Sequence, residues 1–122
     1  MAVTIAELIA QREKIKEKGK QKYQITTSIG DIVAILPDAA MVAEALDMPT
    51  SFESNKYIVY NAVVEPNLKD KDLQDAYGVF DAMDIVTAIF LPGEITKIGS
   101  KLLDFAGFKG KITAKVHEEV KN

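Results

Sequence analysis

One stretch decides the fold that this sequence predicts: NAVVEPNLKDKDLQDAYGVFDAMDIVTAIFLPGEI, residues 61–95. It holds two of the chain's four prolines, a dense run of aspartates and two apolar segments with helical spacing. Pro66 disfavours helical geometry at the residue before it, while Gly78 and the pair Pro92-Gly93 interrupt the chain twice more. The stretch therefore predicts several short helices in place of one long one.

Aspartates mark the starts of the helices predicted in this stretch. Asp70 is placed to cap a helix that runs to Tyr77, and Gly78 closes it, because glycine readily adopts the left-handed conformation. Either Asp81 or Asp84 starts the next helix. The apolar positions expected to face inward are Leu73 and Ala76 in the first helix and Ile85, Val86, Ile89 and Phe90 in the second.

The last clear helix is predicted from about Glu94 to Ala106. Gly107 follows it as a left-handed C-cap, and Phe108 is expected to contact Leu103, as is usual for this motif. Residues 109–122 fit either a helix or a strand, because their apolar residues satisfy both periodicities. The inner face of the last helix is expected to comprise Ile95, Ile98, Leu102 and Ala106.

Near the start of the chain, a helix is predicted from about Ile5 to Lys18. Thr4 and Glu7 have the spacing of a capping box, and Gly19 is the expected left-handed stop. We interpret the basic stretch at residues 12–22 as a solvated face; the alternative is a docking surface for an acidic partner or nucleic acid. The apolar residues on one face are Ile5, Leu8, Ile9 and Ile15, and the basic residues are Arg12, Lys14, Lys16, Lys18, Lys20 and Lys22.

Between residues 23 and 36 the sequence period changes from helical to alternating. Tyr23, Ile25 and Thr27 alternate with polar residues, and an apolar run after Gly30 ends at Leu36. This pattern predicts a β-hairpin whose turn lies near Gly30. A buried helix is the alternative for the apolar run.

Two further helices are expected between the hairpin and the central stretch. Asp38 caps the first, and a second capping-box pattern at Thr50 and Glu53 starts the other, from Ser51 to Val64. The inner face of the first helix is expected to comprise Met41, Val42, Ala45 and Leu46. The predicted fold class is therefore mainly α, at most α+β: one compact domain, residues 1–122, of short capped helices with a β-hairpin around residues 23–36.

Composition narrows the functional classes. The chain has no cysteine, so disulfides and thiolate metal sites are excluded. Its net charge of −3 argues against general binding to nucleic acid. No apolar run approaches the roughly 20 residues that cross a bilayer, and no secretory signal pattern is present. We expect a cytoplasmic protein without membrane contact.

No arrangement of residues predicts catalysis, a cofactor or a metal ion. The single histidine, His117, has no partners that would orient it for catalysis. Asp70 and Asp72 share the spacing of the first two EF-hand ligands, but the loop lacks the glycine required at its sixth position. Gly93 and Gly99 enclose five residues, which does not match a phosphate-binding loop. We therefore expect no enzyme.

The central stretch resembles a known family. The pattern N-x-V-V-E-P-N-L-K-D-x-x-L-Q-x-A-Y-G, followed by D-I-V-x-x-I-F-x-P-G-E-I and by G-F, is similar to that of the XkdN-like tail assembly chaperones. These proteins belong to contractile-tailed phages and phage-like elements of Gram-positive bacteria. The matching residues are Asn61, Val63 to Asp70, Leu73, Gln74, Ala76 to Gly78, Asp84 to Val86, Ile89, Phe90, Pro92 to Ile95, Gly107 and Phe108. Residues 28–33 and 121–122 also fit, so the resemblance covers nearly the whole chain.

The resemblance implies a role without catalysis. Such chaperones bind the long, aggregation-prone tape measure protein in the host cytoplasm and keep it soluble while tail tube subunits polymerise around it. They are absent from the finished tail. The expected partner is thus the tape measure protein, with the tail tube protein and a second copy of the chain as further candidates. Partner contacts are expected at Phe80, Phe90, Leu91 and Phe108; the alternative is that all four belong to the core.

Two other functions stay open at this point. The chain could be a small structural adaptor or completion protein that is retained in the tail. It could also be a regulator that binds nucleic acid through the basic residues 12–22, a reading that its net charge disfavours. Retention in purified tails distinguishes the first function, and binding that weakens steeply with salt distinguishes the second.

Overall fold

The computed structural model describes residues 2–108, in which seven helices accompany a three-stranded antiparallel sheet. The predicted mainly α fold is confirmed. The expectations for residues 109–122, including His117, lie outside the described residues. The elements in chain order are α1 (Ile5–Ala10), α2 (Arg12–Lys18), β1 (Lys22–Thr27), β2 (Gly30–Ile35), α3 (Ala39–Leu46), α4 (Ser51–Ala62), β3 (Val63–Glu65), α5 (Lys71–Ala76), a 3-10 turn (Ala82–Asp84), α6 (Ile85–Ile89) and α7 (Pro92–Phe105).

The predicted hairpin is present and consists of β1 and β2. Its strands pair antiparallel, and Thr27 lies opposite Gly30 across a two-residue turn. Gly30 has a φ of +121°, a backbone conformation that residues with a side chain rarely adopt, so the turn depends on glycine here. The apolar run before Leu36 is therefore a strand, and the alternative of a buried helix is excluded.

The helix predicted from Ser51 to Val64 is wrong at its end, because α4 stops at Ala62 and the chain continues as β3. β3 lies beside β2 as the third strand of the sheet, with Val63 opposite Ala34. The valines at 63 and 64 are β-branched and favour extended backbone. Pairing with β2 also buries Val63 in the core, so a tertiary contact decides the end of the helix.

The predicted N-terminal helix is interrupted at Gln11, where φ is −94° and ψ is 0°. Its start is as predicted: the Glu7 carboxylate accepts the Thr4 N–H at 2.7 Å, and the Thr4 hydroxyl accepts the Glu7 N–H at 3.2 Å. The helical segment ends before Gly19, but Gly19 has a φ of −72°. The expected left-handed stop is therefore wrong, although the position of the end is correct.

Aspartate and threonine side chains cap the other predicted helices. Asp38 and Asp70 each accept a hydrogen bond from the backbone N–H three residues later, at 2.9 and 3.0 Å. Thr50 does the same at 3.1 Å, which is one half of the predicted capping box. Of the two candidate aspartates before α6, Asp81 accepts the Met83 N–H at 3.1 Å and so caps the 3-10 turn. Asp84 is the N-cap residue of α6, but its side chain makes no cap hydrogen bond.

Helix α7 begins at Pro92, two residues earlier than predicted. Proline suits the first helical position, since its fixed φ is already helical and its missing N–H would have no partner there. The other end is as predicted. Gly107 has a φ of +88°, and the Phe108 N–H donates to the Leu103 carbonyl at 2.9 Å.

Helices α4 and α7 pack against each other and form the core together with the sheet. Gly99 of α7 permits the close approach, because a Cβ atom at this position would lie 2.9 Å from Cβ of Asn55 in α4.

Leu46 and Ala76 are exposed, contrary to prediction; each is the last residue of a short helix. The buried apolar residues are Ile32, Ala34, Ala45, Ile58, Val59, Ala62, Val63, Leu68, Ile85, Val86, Phe90, Ile95, Ile98 and Leu102.

Candidate partner-binding surfaces

The four side chains predicted as partner contacts lie in two environments. Phe80, Leu91 and Phe108 are exposed, and Phe80 has 104% of its reference accessible area. Phe90 is 2% exposed, so the expectation of an available contact there is wrong: it follows α6 directly and packs into the core. No ring contact within residues 2–108 joins Phe80 to Phe108. The three exposed side chains stay predicted contacts.

The N-terminal arm, defined as residues 4–18 with helices α1 and α2, exposes the apolar side chains that the sequence places on one helical face. Neither helix contains a buried residue. The apolar face predicted from helical spacing is present but uncovered, with 48–77% of each side chain exposed: Ile5, Leu8, Ile9 and Ile15. Large apolar side chains at regular helical spacing usually mark a surface that meets another helix.

The arm and its exit carry the basic residues of the sequence analysis. Residues 12–22 contain six basic and two acidic side chains, and all of these charged residues are exposed. Lys16 and Lys18 lie in the last turn of α2, where positive charge interacts favourably with the helix dipole. Positive charge therefore lies beside Ile15 in α2, whereas α1, which carries Ile5, Leu8 and Ile9, has Glu7 as its single charged residue.

A second exposed apolar surface lies in what we call the acidic segment, residues 70–84. Helix α5 ends at Tyr77, and Gly78 reverses the chain with a φ of +63°. The N–H of Val79 then donates to the Gln74 carbonyl at 3.3 Å, and the Val79 side chain packs against the core. Because Val79 points inward, the next residue, Phe80, points into solvent. Tyr77, three residues earlier, is 54% exposed.

Five aspartates surround this aromatic pair in sequence, against a single lysine, Lys71. Asp84 accepts a hydrogen bond from Lys56 at 2.8 Å and thereby neutralises the one buried charged side chain in residues 2–108. Burial alone would lower the pKa of Lys56, but the hydrogen bond and the charge of Asp84 outweigh it and hold this pKa above its ordinary value. Asp75 pairs with Lys71 at 3.2 Å on the surface.

Two of the three remaining aspartates act on the backbone. Asp70 and Asp81 accept the cap hydrogen bonds described above. In the part of the chain that the structure describes, no three acidic or histidine side chains cluster in a way that could hold a metal ion. The aspartate run therefore provides helix caps and negative charge.

The hairpin is joined to α7 at both of its ends. At the turn, the Glu94 carboxylate accepts the Ser28 N–H at 2.7 Å and the Ser28 hydroxyl at 2.8 Å. These hydrogen bonds hold the pKa of Glu94 below its ordinary value. At the opposite end, the rings of Tyr23 and Phe105 stack with their centroids 4.4 Å apart.

An open groove of about 530 Å³ lies between these two contacts, along β1 and α7. Its apolar floor includes Ile25 and Ile98, and Lys97 and Lys101 line it with positive charge. β1 is an edge strand of the sheet. Sequence reasoning did not find this groove, because Ser28 and Glu94, whose hydrogen bonds bring its walls together, are 66 residues apart and no spacing rule links them.

These features define a small, mainly helical domain that exposes apolar side chains on two separate segments, one basic and one acidic. No helix within residues 2–108 is long and apolar enough to span a membrane. A family model described as phage XkdN-like tail assembly chaperone protein matches residues 4–121, and the chain belongs to that family. The predicted resemblance is thereby confirmed, and the family's described role is that of a tail assembly chaperone.

Searches of curated proteins and of solved structures gave no match to the chain.

Proposed function

We propose that this chaperone binds the tape measure protein and keeps it soluble while the tail tube assembles around it. One observation carries the proposal: the apolar face of the N-terminal arm is exposed along its whole length. A client with amphipathic helices carries the same kind of face, and two such faces bury each other when the helices pack side by side. The arm would thus cover apolar stripes that otherwise drive aggregation.

The expected strength of this contact suits a temporary partner. Burying a leucine or isoleucine side chain stabilises a complex by about 1.5–3 kcal/mol when it starts fully exposed. The four apolar side chains of the arm are 48–77% exposed, so together they contribute on the order of 3–6 kcal/mol. Association itself costs about 4–15 kcal/mol. One arm therefore binds weakly, and several chaperones along a long client are needed to keep it covered.

The charge of the arm indicates which client segments it would select. The basic residues of α2 and its exit favour apolar stripes that are flanked by carboxylates, and they disfavour stripes flanked by lysine or arginine. Residues 12–22, with six basic and two acidic side chains, therefore act in client selection in this proposal. Binding should weaken as salt rises, since exposed charges are screened over about 8–10 Å at physiological ionic strength.

Co-expression of the chaperone with the tape measure protein tests the proposal. The wild-type chain should raise the soluble fraction of the tape measure protein and co-purify with it. Leu8→Asp places a charge in the apolar face of the arm and should abolish both effects. Leu46→Asp is the matched control, since Leu46 is also an exposed leucine on a helix but lies outside the arm. Equal capture by both variants would overturn the role of the arm.

Mass analysis of purified tails separates the chaperone from a structural adaptor. A chaperone acts in the host cytoplasm and leaves before the tail is complete, so the chain should be absent from finished tails. Retention at a fixed ratio to the tail subunits would contradict the proposal and favour the adaptor.

A further inference from the structure

The three-stranded sheet has two edges, and they differ in how well they resist pairing with another chain. β3 has three residues, a shift of register against β2 at Val33 and Ala34, and Pro66 directly after it. β1 has six residues, and its pairing with β2 runs from Lys22 to Thr27 without a shift. Short or irregular edge strands resist a further strand, whereas a regular edge strand without proline accepts one. β1 is therefore the open edge of the sheet within residues 2–108.

The backbone groups that β1 offers follow from its register. Thr27 and Gly30 flank a two-residue turn and form a hydrogen-bonded pair, and such pairs alternate with non-hydrogen-bonded pairs along an antiparallel ladder. The N–H and C=O groups of Gln24 and Thr26 therefore point away from β2. Within the described residues, β1 pairs with β2 alone. These two residues thus offer donors and acceptors to a further strand.

Helix α7 runs beside this edge along the whole of β1. It is joined to Ser28 through Glu94 at one end and to Tyr23 through Phe105 at the other. The strand between its two contact residues and the helix between its own both span about 16–17 Å. A strand added to β1 would therefore lie alongside α7, in the groove described above.

The groove is apolar at its floor and positive at its wall. Ile25 and Ile98 form the floor, and Lys97 and Lys101 line the wall with exposed side chains. Neither lysine forms an ion pair within residues 2–108. Glu94 also lines the groove, but its carboxylate already accepts three hydrogen bonds. The charge left open in the groove is therefore positive, and it attracts carboxylates.

We propose that this groove binds an extended acidic segment of another protein, which adds a fourth strand to the sheet at β1. Gln24 and Thr26 supply the backbone hydrogen bonds, and an apolar side chain of the segment covers the floor. Lys97 and Lys101 lie about 6 Å apart along α7, and alternate residues of a strand lie about 6.5–7 Å apart. Carboxylates two positions apart in the segment therefore reach one lysine each. The arm takes no part in this contact, which goes beyond the proposed function and does not depend on it.

A synthetic peptide of sequence T-E-T-D-T-I-T, blocked at both ends, tests the proposal. Its two carboxylates and its isoleucine alternate with threonine, so all three can face the groove together. Titrated into the isotope-labelled full-length chain, it should shift the amide resonances of Gln24 and Thr26. The neutral peptide T-Q-T-N-T-I-T should bind about threefold to thirtyfold more weakly, as expected for the loss of two exposed ion pairs. Equal binding of the two peptides, or no shift of these amides up to about 1 mM peptide, overturns the proposal.

Substitutions in the chain test the same ion pairs from the other side. Lys97→Gln/Lys101→Gln should weaken binding of the acidic peptide by a similar factor. Lys14→Gln/Lys18→Gln is the matched control and should not, since these exposed lysines are also four residues apart on a helix but lie in the arm. Equal effects of the two double variants would show unspecific attraction by charge and overturn the proposal. Leu8→Asp should bind the peptide like the wild type, so failure of this contact is distinguishable from failure of the arm to bind its client.

N-methylation of the acidic peptide tests the added strand. Only one of its two alternating sets of N–H groups can face β1, so methyl groups on that set should abolish binding and methyl groups on the other set should not. Full binding after methylation of either set would show that side chains alone hold the peptide, and it would overturn the added strand.

Hydrogen exchange of the free chain checks that the edge is open. The amides of Gln24 and Thr26 should exchange faster than the amide of Ile25, which points toward β2, and they should become protected when the acidic peptide binds. Protection of both amides in the free chain at every concentration would show that the chain covers its own edge. Protection that rises with concentration would show that a second copy covers it. Either result overturns the proposal.

Discussion

The N-terminal arm and helix α7 carry similar apolar patterns, but the apolar face is exposed in the arm and buried in α7. In α7, Ile95, Ile98 and Leu102 recur at helical spacing and are at most 4% exposed. In the arm, Ile5, Leu8, Ile9 and Ile15 also recur at helical spacing, yet none is less than 48% exposed. The difference lies in the partner: α7 packs on α4 of the same chain, whereas the arm buries nothing within residues 2–108.

Helical periodicity predicts an apolar face but not where the complementary surface lies. A face that is covered inside the chain contributes to the stability of the fold. A face that the chain leaves uncovered contributes to recognition. Mutations in the two regions should therefore affect different measurements, and the size of each effect tests the distinction.

The largest contrast is expected between two leucines. Leu102→Ala in α7 removes a side chain with no exposed area and should lower the free energy of unfolding by about 2–5 kcal/mol. Leu8→Ala in the arm should change it by less than about 0.5 kcal/mol. Urea denaturation followed by circular dichroism measures both. A comparable loss for Leu8→Ala would show that the arm belongs to the core after all.

A smaller loss is expected where α7 meets α4. Gly99→Ala would place a Cβ atom 2.9 Å from Cβ of Asn55, so one helix must shift, at a cost of about 1–3 kcal/mol. Gly93→Ala, in the first turn of the same helix, meets no atom within 4 Å and should be neutral or slightly stabilising. Thermal unfolding measures both variants. Equal unfolding midpoints for Gly99→Ala and Gly93→Ala would contradict the close contact between α7 and α4.

A third effect is a pH dependence of the free energy of unfolding, which arises where Glu94 of α7 contacts the hairpin. The pKa of Glu94 is lowered in the folded chain from an ordinary value of 4.5, so its ionised form stabilises the fold above that pH. This contribution should be lost as pH falls from 4.5 through the lower folded value. Glu94→Gln should be less stable than the wild type at pH 7, and the two should converge in acid.

Measurement of unfolding midpoints between pH 7 and pH 3 checks this prediction. Ser28→Ala, which removes one of the donors to Glu94, is the matched variant and should reduce the same pH dependence in part. An unchanged difference between the wild type and Glu94→Gln across this range would show that the contact with Ser28 does not control the titration.

The smallest effect on stability is expected from removal of the whole arm. A chain without residues 1–19 should unfold within about 0.5 kcal/mol of the full chain, because no residue of α1 or α2 is buried. The same truncation should abolish client capture. A large loss of stability would show that the arm, like α7, belongs to the folded core.

Local features of the fold could be predicted from the sequence. Asp38, Thr50 and Asp70 each begin a helix as expected, because an N-cap depends on a side chain and a backbone N–H only three residues away. The C-cap at Gly107 and the hairpin turn before Gly30 are local in the same sense, since both need a positive φ. The family signature was equally readable, because it is a pattern of residues along the chain.

Features that depend on distant residues could not be predicted. The sequence predicts that α4 continues to Val64, but the helix ends at Ala62. Val63 leaves the helix because it can pair with β2, which lies beside it only in the folded chain. The joining of Ser28 to Glu94 and of Lys56 to Asp84 spans 66 and 28 residues. For the candidate site, the sequence predicts partner contacts at Phe80, Leu91 and Phe108, which are exposed, and at Phe90, which is buried in the core. Exposure is a property of packing and cannot be read from residue type.

The short capped helices, the apolar face of the arm and the membership of a tail assembly chaperone family follow from the order of residues alone, and the hairpin is the structure that the alternating pattern favours. All of these depend on residues close together along the chain or on the pattern as a whole. Only the tertiary structure decided that the face of α7 is buried and the face of the arm is not. The physical reason is that burial requires a complementary surface, and for α7 that surface is α4, brought beside it by the folding of the chain between them.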